Sequence, residues 1–310
     1  MECHRDLTSA FYSFSLFYIN DLHNVSPIMF FILFADDTNV FYSHSSLQTL
    51  TQVINTELTL VADWFSANKL TLNLDKTNFI LFKSHRKMGP SDDSLRLSIN
   101  GIPITKVTST KFLGVHVDQH LTWKEHIKTI SDKIAKNIGI LTRTAYLLPS
   151  GIRLKLYYSL VYPYLTYCNM VWASTYDSRQ RKLILLQKRA VRIIVGVPRC
   201  VHSGPLFTDL KLLKLEQIRT LQIGLFMYRY EHGLLPACFK GFFHLGSDVH
   251  THYTRNFNSY RPIYAHTNTR LFSIKSVGST TWNMLPSHIR CALHLRHFKK
   301  MLHAYLINGN

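Results

Sequence analysis

No Cys-x-x-Cys pair occurs in these 310 residues, and the five cysteines (Cys3, Cys168, Cys200, Cys238, Cys291) are odd in number and scattered. That excludes the usual zinc ligand sets and a disulfide framework, and suits a reducing, intracellular compartment, nucleus or cytoplasm. No basic start leads into an apolar stretch with a small-residue cleavage site, so no secretory signal is expected. Long apolar runs are missing as well. The nearest, residues 156–173, contains Pro163, Asn169 and several tyrosines, and is short for a bilayer that needs about 20 apolar residues. A buried helical segment is expected there. Acidic residues are scarce: 18 Asp and Glu stand against 36 Lys and Arg, for a formal net charge of +18. Residues 1–84 hold four basic and eight acidic side chains, net −4, while the remainder holds 32 and 10, net +22. Such asymmetry suggests one region around an acidic centre and another that lies on a polyanion. A basic excess alone is equally compatible with a membrane surface or with simple solubility. The hydrophobic share of 46% is that of a globular chain, and the length ordinarily holds two domains.

What is present begins with Phe34-Ala35-Asp36-Asp37, between the apolar runs Met29–Leu33 and Val40–Tyr42. Two such runs joined by a short polar tip read as a β-hairpin. Adjacent carboxylates repel unless a cation lies between them, and oxygen ligands of this kind suit Mg²⁺. In phosphoryl and nucleotidyl transfer two such ions hold the attacking and leaving oxygens in line. The alternative is a solvated turn in which Asp36 and Asp37 cap backbone amides.

The flanking residues add a resemblance. Phe34-Ala35-Asp36-Asp37-Thr38, then Asn68 to Thr77, then Ser109-Thr110-Lys111-Phe112-Leu113-Gly114-Val115, resemble the C-terminal half of the reverse transcriptases of non-LTR (LINE-like) retrotransposons. The likeness continues through Trp123 to Ile127, Tyr164 to Cys168, Leu186 to Ala190 and Trp282 to Pro286, so it spans roughly residues 15 to 309. It implies an α+β fold: an incomplete palm with antiparallel hairpins over residues 1–120, a mostly helical thumb over 121–240, and a basic C-terminal region over 241–310. It further implies Asp36 and Asp37 as catalytic Mg²⁺ ligands and Lys76 as the group near the leaving pyrophosphate. Phe112, Leu113 and Gly114 would grip the primer, and an RNA template with a DNA primer would be the partner. No membrane and no obligate protein partner is expected.

Departures from the family pattern matter equally. The family's palm uses a third carboxylate on an earlier strand and a Gln-Gly motif lining the nucleotide pocket. Asp6 and Asp21 are the only aspartates before Asp36: Asp21 lies in the run Tyr18-Ile19-Asn20-Asp21-Leu22, which in the family is not the metal ligand, Asp6 lies in a segment that resembles nothing in the family, and no Gln-Gly precedes them. The sequence therefore reads as a fragment, and three alternatives stand: an inactive or truncated polymerase, the C-terminal piece of an active one, or a non-catalytic nucleic-acid-binding module.

Periodicity fills in the rest. Leu47, Leu50, Ile54, Leu58, Val61 and Phe65 recur at helical spacing, predicting a helix over 47–67. Thr77–Phe82 reads as a strand, residues 83–94 as a polar loop, and Asn100-Gly101 as a tight hairpin turn within a small antiparallel unit ending in Phe112–Val117. Gly114 permits close backbone approach to a sugar-phosphate, or is a bulge glycine. Thr122-Trp-Lys-Glu125 predicts a capping box, ahead of a face formed by Trp123, Ile127, Ile130, Ile134, Ile138 and Leu141. Over 178–195, Arg181, Lys182, Lys188, Arg189 and Arg192 fall within an arc of about 120°. That stripe suits a duplex backbone, or is a solvated face. A further helix is expected over 210–230. His250-x-His252 and His294-x-x-His297 lack Cys or acidic company at ligand spacing.

Overall fold

The computed structural model of the chain describes residues 19–35, 37–83, 95–248 and 257–309. Contacts divide it into two compact units, Met1–Thr110 and Lys111–Asn310. Asp6, Asp36, the loop over 84–94 and the pair His250 and His252 lie outside the described residues.

In the first unit, β1 (Phe30–Phe34) and β2 (Asp37–Phe41) pair antiparallel, with Phe30 opposite Phe41 and Phe34 opposite Asp37. Alternation puts Phe31, Leu33 and Val40 inward, against Leu22, Met29 and Val61. The helix α1 (Leu47–Ala67) starts where Ser46 Oγ accepts from the Thr49 amide at 3.4 Å. Leu50 meets Leu95 and Leu97 in a second small cluster. Asn55 ties that strand segment down: its Nδ2 donates to Arg96 O at 3.2 Å and its Oδ1 accepts from the Ser98 amide at 3.0 Å. The expected strand over 77–82 shrinks to β3 (Asn78–Phe79). The hairpin is present as β4 (Ser98–Ile99) and β5 (Ile102–Pro103), turning at Asn100 (φ 50°) and Gly101 (φ 78°). Both turn residues are left-handed, which is why Asn-Gly serves there. After Ile104 the chain returns to pair β6 (Thr105–Lys106) parallel with β3.

A further hairpin begins at Ser109, and helices follow it through the second unit. Strands β7 (Ser109–Phe112) and β8 (Val115–Asp118) join through the two residues Leu113 (φ 44°) and Gly114 (φ 83°). Phe112–Val117 is thus not one strand, because the turn falls inside it. The capping box is replaced too. The helix α2 (Lys124–Thr144) begins after Trp123 (φ 62°), with no side-chain cap. The Asp118 carboxylate instead accepts from the amides of His120 (3.1 Å), Thr122 (2.9 Å) and Trp123 (2.8 Å) and from Thr122 Oγ1 (3.1 Å). One carboxylate that satisfies four donors holds a sharp entry that Thr122 and Glu125 alone would not.

Ile127, Ile130, Ile134, Ile138 and Leu141 are buried on one face of α2, as their spacing predicts. They share a core with α3 (Ser150–Leu160), α4 (Tyr162–Thr166), α5 (Asn169–Trp172) and α6 (Asp177–Val195). Residues 156–173 are indeed helical and packed, with Tyr157, Leu165 and Trp172 at or near zero exposure. No described helix is long and apolar enough to cross a membrane. After α7 (Ser203–Asp209), the helix expected over 210–230 starts later, as α8 (Leu215–Glu231), because Lys211 turns left-handed (φ 53°). After the short helix α9 (Asn268–Leu271), the helices α10 (Ile274–Met284), α11 (Ser287–Arg290) and α12 (Leu295–Asn308) close the same core. Gly224 of α8 lets α12 approach, since a Cβ there would lie 2.6 Å from Leu302 Cδ2.

Ile134 has no exposed surface and Lys136 projects outward. Ile134→Ala is expected to cost about 3 kcal/mol in chemical denaturation, whereas Lys136→Ala stays within about 0.5 kcal/mol.

Candidate catalytic hairpin and nucleic-acid-binding helix

In the acidic hairpin, Ala35 follows β1 in a left-handed conformation at φ 58°. Asp37 opens β2 at an exposed corner opposite Phe34. Phe30 and Phe34 face outward, at 65% and 57% exposure, away from the cluster that covers Phe31, Leu33 and Val40. Lys76 is exposed in the turn before β3, with its amide donating to Asn73 O and Oδ1, both at 3.2 Å. No ion pair joins Lys76 to Asp37 among the described residues. Among those residues no three His, Cys, Asp or Glu side chains gather as metal ligands either, His294 and His297 included.

The turn at Leu113 and Gly114 is held from behind by Tyr167. The Tyr167 hydroxyl donates to Leu113 O at 2.5 Å, and a Cβ on Gly114 would sit 3.3 Å from Tyr167 Cε1. The close neighbour that Gly114 admits is therefore this ring. Tyr167 is itself fixed, because buried Trp172 donates its indole N–H to Tyr167 O at 2.8 Å. His126 packs 5.4 Å from the Trp172 ring and accepts the His116 amide on Nδ1 at 3.3 Å, so β8 is joined to α2. Burial first, then His116 and Lys133, push His126 down to about 4. Phe112 is half-buried at the end of β7. Tyr167 and His126 lie within motifs that carry the resemblance, but their bracing role was not legible there because their partners are set by folding, with no periodic signal.

Helix α6 runs close to its expected span, yet its buried face differs from the apolar pattern. Gln180, Leu183, Gln187, Ala190, Val191 and Ile194 are buried, while Leu186 and Ile193 are only partly so. Gln187 tolerates the core because every polar atom is used. Its Nε2 donates to Tyr157 Oη and Leu213 O, and its Oε1 accepts from the Leu215 amide, all at 3.0 Å. The five cations then separate. Lys182 pairs with Asp132 of α2 at 2.7 Å, both side chains more than half exposed. The hydrogen bond from Lys182 holds the Asp132 carboxyl below its ordinary range, though an exposed pair of this kind adds little stability. Arg192 Nε donates to Val201 O at 2.7 Å, Lys188 is half-buried, and Arg181 and Arg189 are exposed. Arg179, which the stripe omits, donates to Thr122 O at 2.6 Å and lies 5.0 Å from the Tyr176 ring centre.

Comparison with known proteins places this geometry in context. Over 183 residues the chain is 26% identical to the "Probable RNA-directed DNA polymerase from transposon X-element" of Drosophila melanogaster, covering 58% of this chain and 20% of that protein. It is 27% identical over 188 residues to the "RNA-directed DNA polymerase from mobile element jockey" of the same fly, covering 59% and 20%. The chain is similar to non-LTR retrotransposon RNA-directed DNA polymerases. A "Retrovirus-related Pol polyprotein from type-1 retrotransposable element R1 2" of Nasonia vitripennis is 25% identical over 210 residues, 63% of this chain and 50% of that one. The resemblance drawn from the motifs is thus borne out. The chain spans about a fifth of the length of the X-element and jockey polymerases. No family model matches it, and no solved structure does.

Two outcomes follow from the turn and its support. Gly114→Ala, at φ 83° against a ring, is expected to destabilise the chain by about 1–2 kcal/mol in a urea titration. For His126 the folded value lies below the unfolded one, so between about pH 6.5 and about 4 the unfolded chain binds more protons. Its contribution is complete above pH 6.5 and is lost as the pH falls toward 4. Denaturation midpoints measured down this range should drop for the wild type and fall less steeply for His126→Gln.

Proposed function

We propose that this chain acts on nucleic acid as part of a retrotransposon RNA-directed DNA polymerase, with its helical unit holding an RNA template–DNA primer duplex. One observation carries the reading: α6 presents Arg181 and Arg189 outward, and neither is ion-paired among the described residues. Exposed cations that meet phosphates displace condensed counterions, so the complex would be tight and steeply salt-dependent. The Leu113–Gly114 turn, braced by Tyr167, is a rigid element of the kind that can position a primer end. Lys76 offers an exposed ammonium that could offset charge on departing pyrophosphate.

Polymerisation in such enzymes is attack of a primer 3′-hydroxyl on the α-phosphorus of a dNTP. The carboxylates of Asp36 and Asp37 are the right donors for Mg²⁺. Among the described residues, however, no third ligand joins Asp37, so the described side chains do not complete a metal site and no step is derived through one. Our reading is that these 310 residues by themselves bind nucleic acid without extending a primer. A second reading, favoured by the short share of the relatives that is matched, is that the same residues work within a longer, active polymerase.

With an RNA template, a DNA primer, dNTPs and Mg²⁺, the purified chain is expected to add no nucleotides. Its affinity for the hybrid should fall by at least about tenfold between about 50 and about 200 mM salt. Extension that vanishes in Asp36→Ala would overturn the inactive reading, and absence of hybrid binding would overturn the function itself.

A further inference from the structure

The run Trp282 to Pro286 carries part of the resemblance, and its asparagine has a specific task. Trp282 and Leu285 are buried in the core. Asn283, between them, reaches the backbone of Tyr260: its Oδ1 accepts from the Tyr260 amide at 3.1 Å and its Nδ2 donates to Tyr260 O at 2.7 Å. A side-chain amide used in this way takes the place of a strand partner. Tyr260 is also bridged to Leu245, the Arg261 amide donates to His244 O at 2.9 Å, and the Tyr260 hydroxyl donates to Glu231. The chain is pinned again a few residues on. Asn268 Nδ2 donates to Tyr176 Oη, and Thr267 Oγ1 accepts from the Arg270 amide at 3.4 Å.

Between these pins, residues 261–266 form neither helix nor strand. Ile263 and Ala265 are half-buried, whereas Tyr264 and His266 are exposed, Tyr264 at 80%. Alternation of this kind is that of an extended chain lying on a surface. The rings of Tyr264 and His266 meet edge to face with centres 4.8 Å apart. An edge contact leaves at least one face of the tyrosine open. Among the described residues no partner bonds its hydroxyl, so the fold gains little from this ring where it stands.

Charge in this part of the sequence is of one sign. Residues 249–310 hold eight Lys and Arg and no Asp or Glu. Arg261 and Arg270 lie on either side of Tyr264 in the chain and are exposed, and among the described residues neither guanidinium is hydrogen-bonded or ion-paired. An aromatic face held open between cations fits a base of a single strand. Every base has a π face, so such stacking tolerates sequence, and cations nearby meet the phosphates of the same strand. A base inside a duplex is covered by its neighbours and offers no face. A lipid surface would call for several apolar side chains pointing outward beside the cations, and here Ile263 is half-buried.

We propose that Tyr264, backed by His266 and flanked in the chain by Arg261 and Arg270, is a stacking platform for one unpaired base of a single-stranded nucleic acid. Asn283 fixes the backbone from which the platform projects. The inference rests on the nucleic-acid-binding reading above and adds a second place of contact, far from α6 in the sequence and selective for single strands. RNA and DNA bases present the same faces, so both should use it.

The test compares the full chain with Tyr264→Ala, Tyr264→Phe and, as a control, Tyr146→Ala, which removes a ring that is 83% exposed between α2 and α3. Circular dichroism would check that each variant folds. Four probes are titrated: a short single-stranded RNA, the DNA of the same sequence, a DNA strand of equal length made of abasic units, and a blunt RNA–DNA hybrid. Tyr264→Ala is expected to weaken both base-bearing single strands roughly tenfold and to bind the abasic strand and the hybrid as the wild type does. Tyr264→Phe keeps the ring and should follow the wild type on every probe, as should Tyr146→Ala. If Tyr264→Ala binds the single strands as tightly as the wild type, or loses the abasic strand equally, the platform is wrong, and retained binding of the hybrid leaves the nucleic-acid reading standing. A loss in Tyr264→Phe as large as in Tyr264→Ala would overturn stacking as well. If the wild type binds neither single strands nor hybrid, both fall.

Discussion

The seam between α2 and α6 organises the second unit. Five apolar side chains of α2, from Ile127 to Leu141, press on Leu183, Ala190, Val191 and Ile194 of α6. Burial of such a strip stabilises by about 1.5–3 kcal/mol per large side chain, so both helices have one permitted rotation about their axes. That rotation decides which side chains are left outside. Arg181 and Arg189 are exposed because Leu183 and Ala190 must be inside. Residues carrying the charge on this face have their direction set by the apolar residues beside them on the helix.

The same seam supports the Leu113–Gly114 turn. Trp172 has no exposed surface, and its indole N–H must find an acceptor or be left unsatisfied at a cost of about 1–3 kcal/mol. The acceptor is Tyr167 O, and the hydroxyl of the same tyrosine then reaches Leu113 O. A buried hydrogen bond is thereby converted into position at the surface. In the acidic hairpin of the first unit, Phe30 and Phe34 stay exposed, and among the described residues no hydrogen bond of this kind braces its outer side. A two-stranded ribbon with one covered face is only marginally stable by itself, so its own packing contributes modestly to the aim of Asp37.

Long, strongly periodic elements were legible in the sequence. The helix over 47–67 has the bounds its spacing predicts, and Asn100-Gly101 turns as that dipeptide should. Features decided by distant partners were not. Thr122 and Glu125 have the pattern of a capping box, but Asp118, at the preceding strand end, takes the Thr122 amide that Glu125 would have bound, and the Trp123 amide with it. Gln187 sits in the core where a hydrophobicity pattern excludes it, because Tyr157, Leu213 and Leu215 together meet all its polar needs. For the cations of α6, the arc leaves Arg181 and Arg189 outside, and both are exposed. That Lys182 is paired depends on Asp132 of α2 lying beside it, which no pattern within α6 reveals.

The contact of Gly224 with Leu302 bears on how the chain is made. The core of the second unit starts at Ile127 and is closed by Phe298 and Leu302, so its central helix α8 is synthesised some seventy residues before its last cover. During that interval the side of α8 around Gly224 faces whatever else is at hand in the cell. Emergence of α12 from the ribosome is then the event that ends exposure, and chains arrested before it would present an apolar helix face to chaperones and to one another.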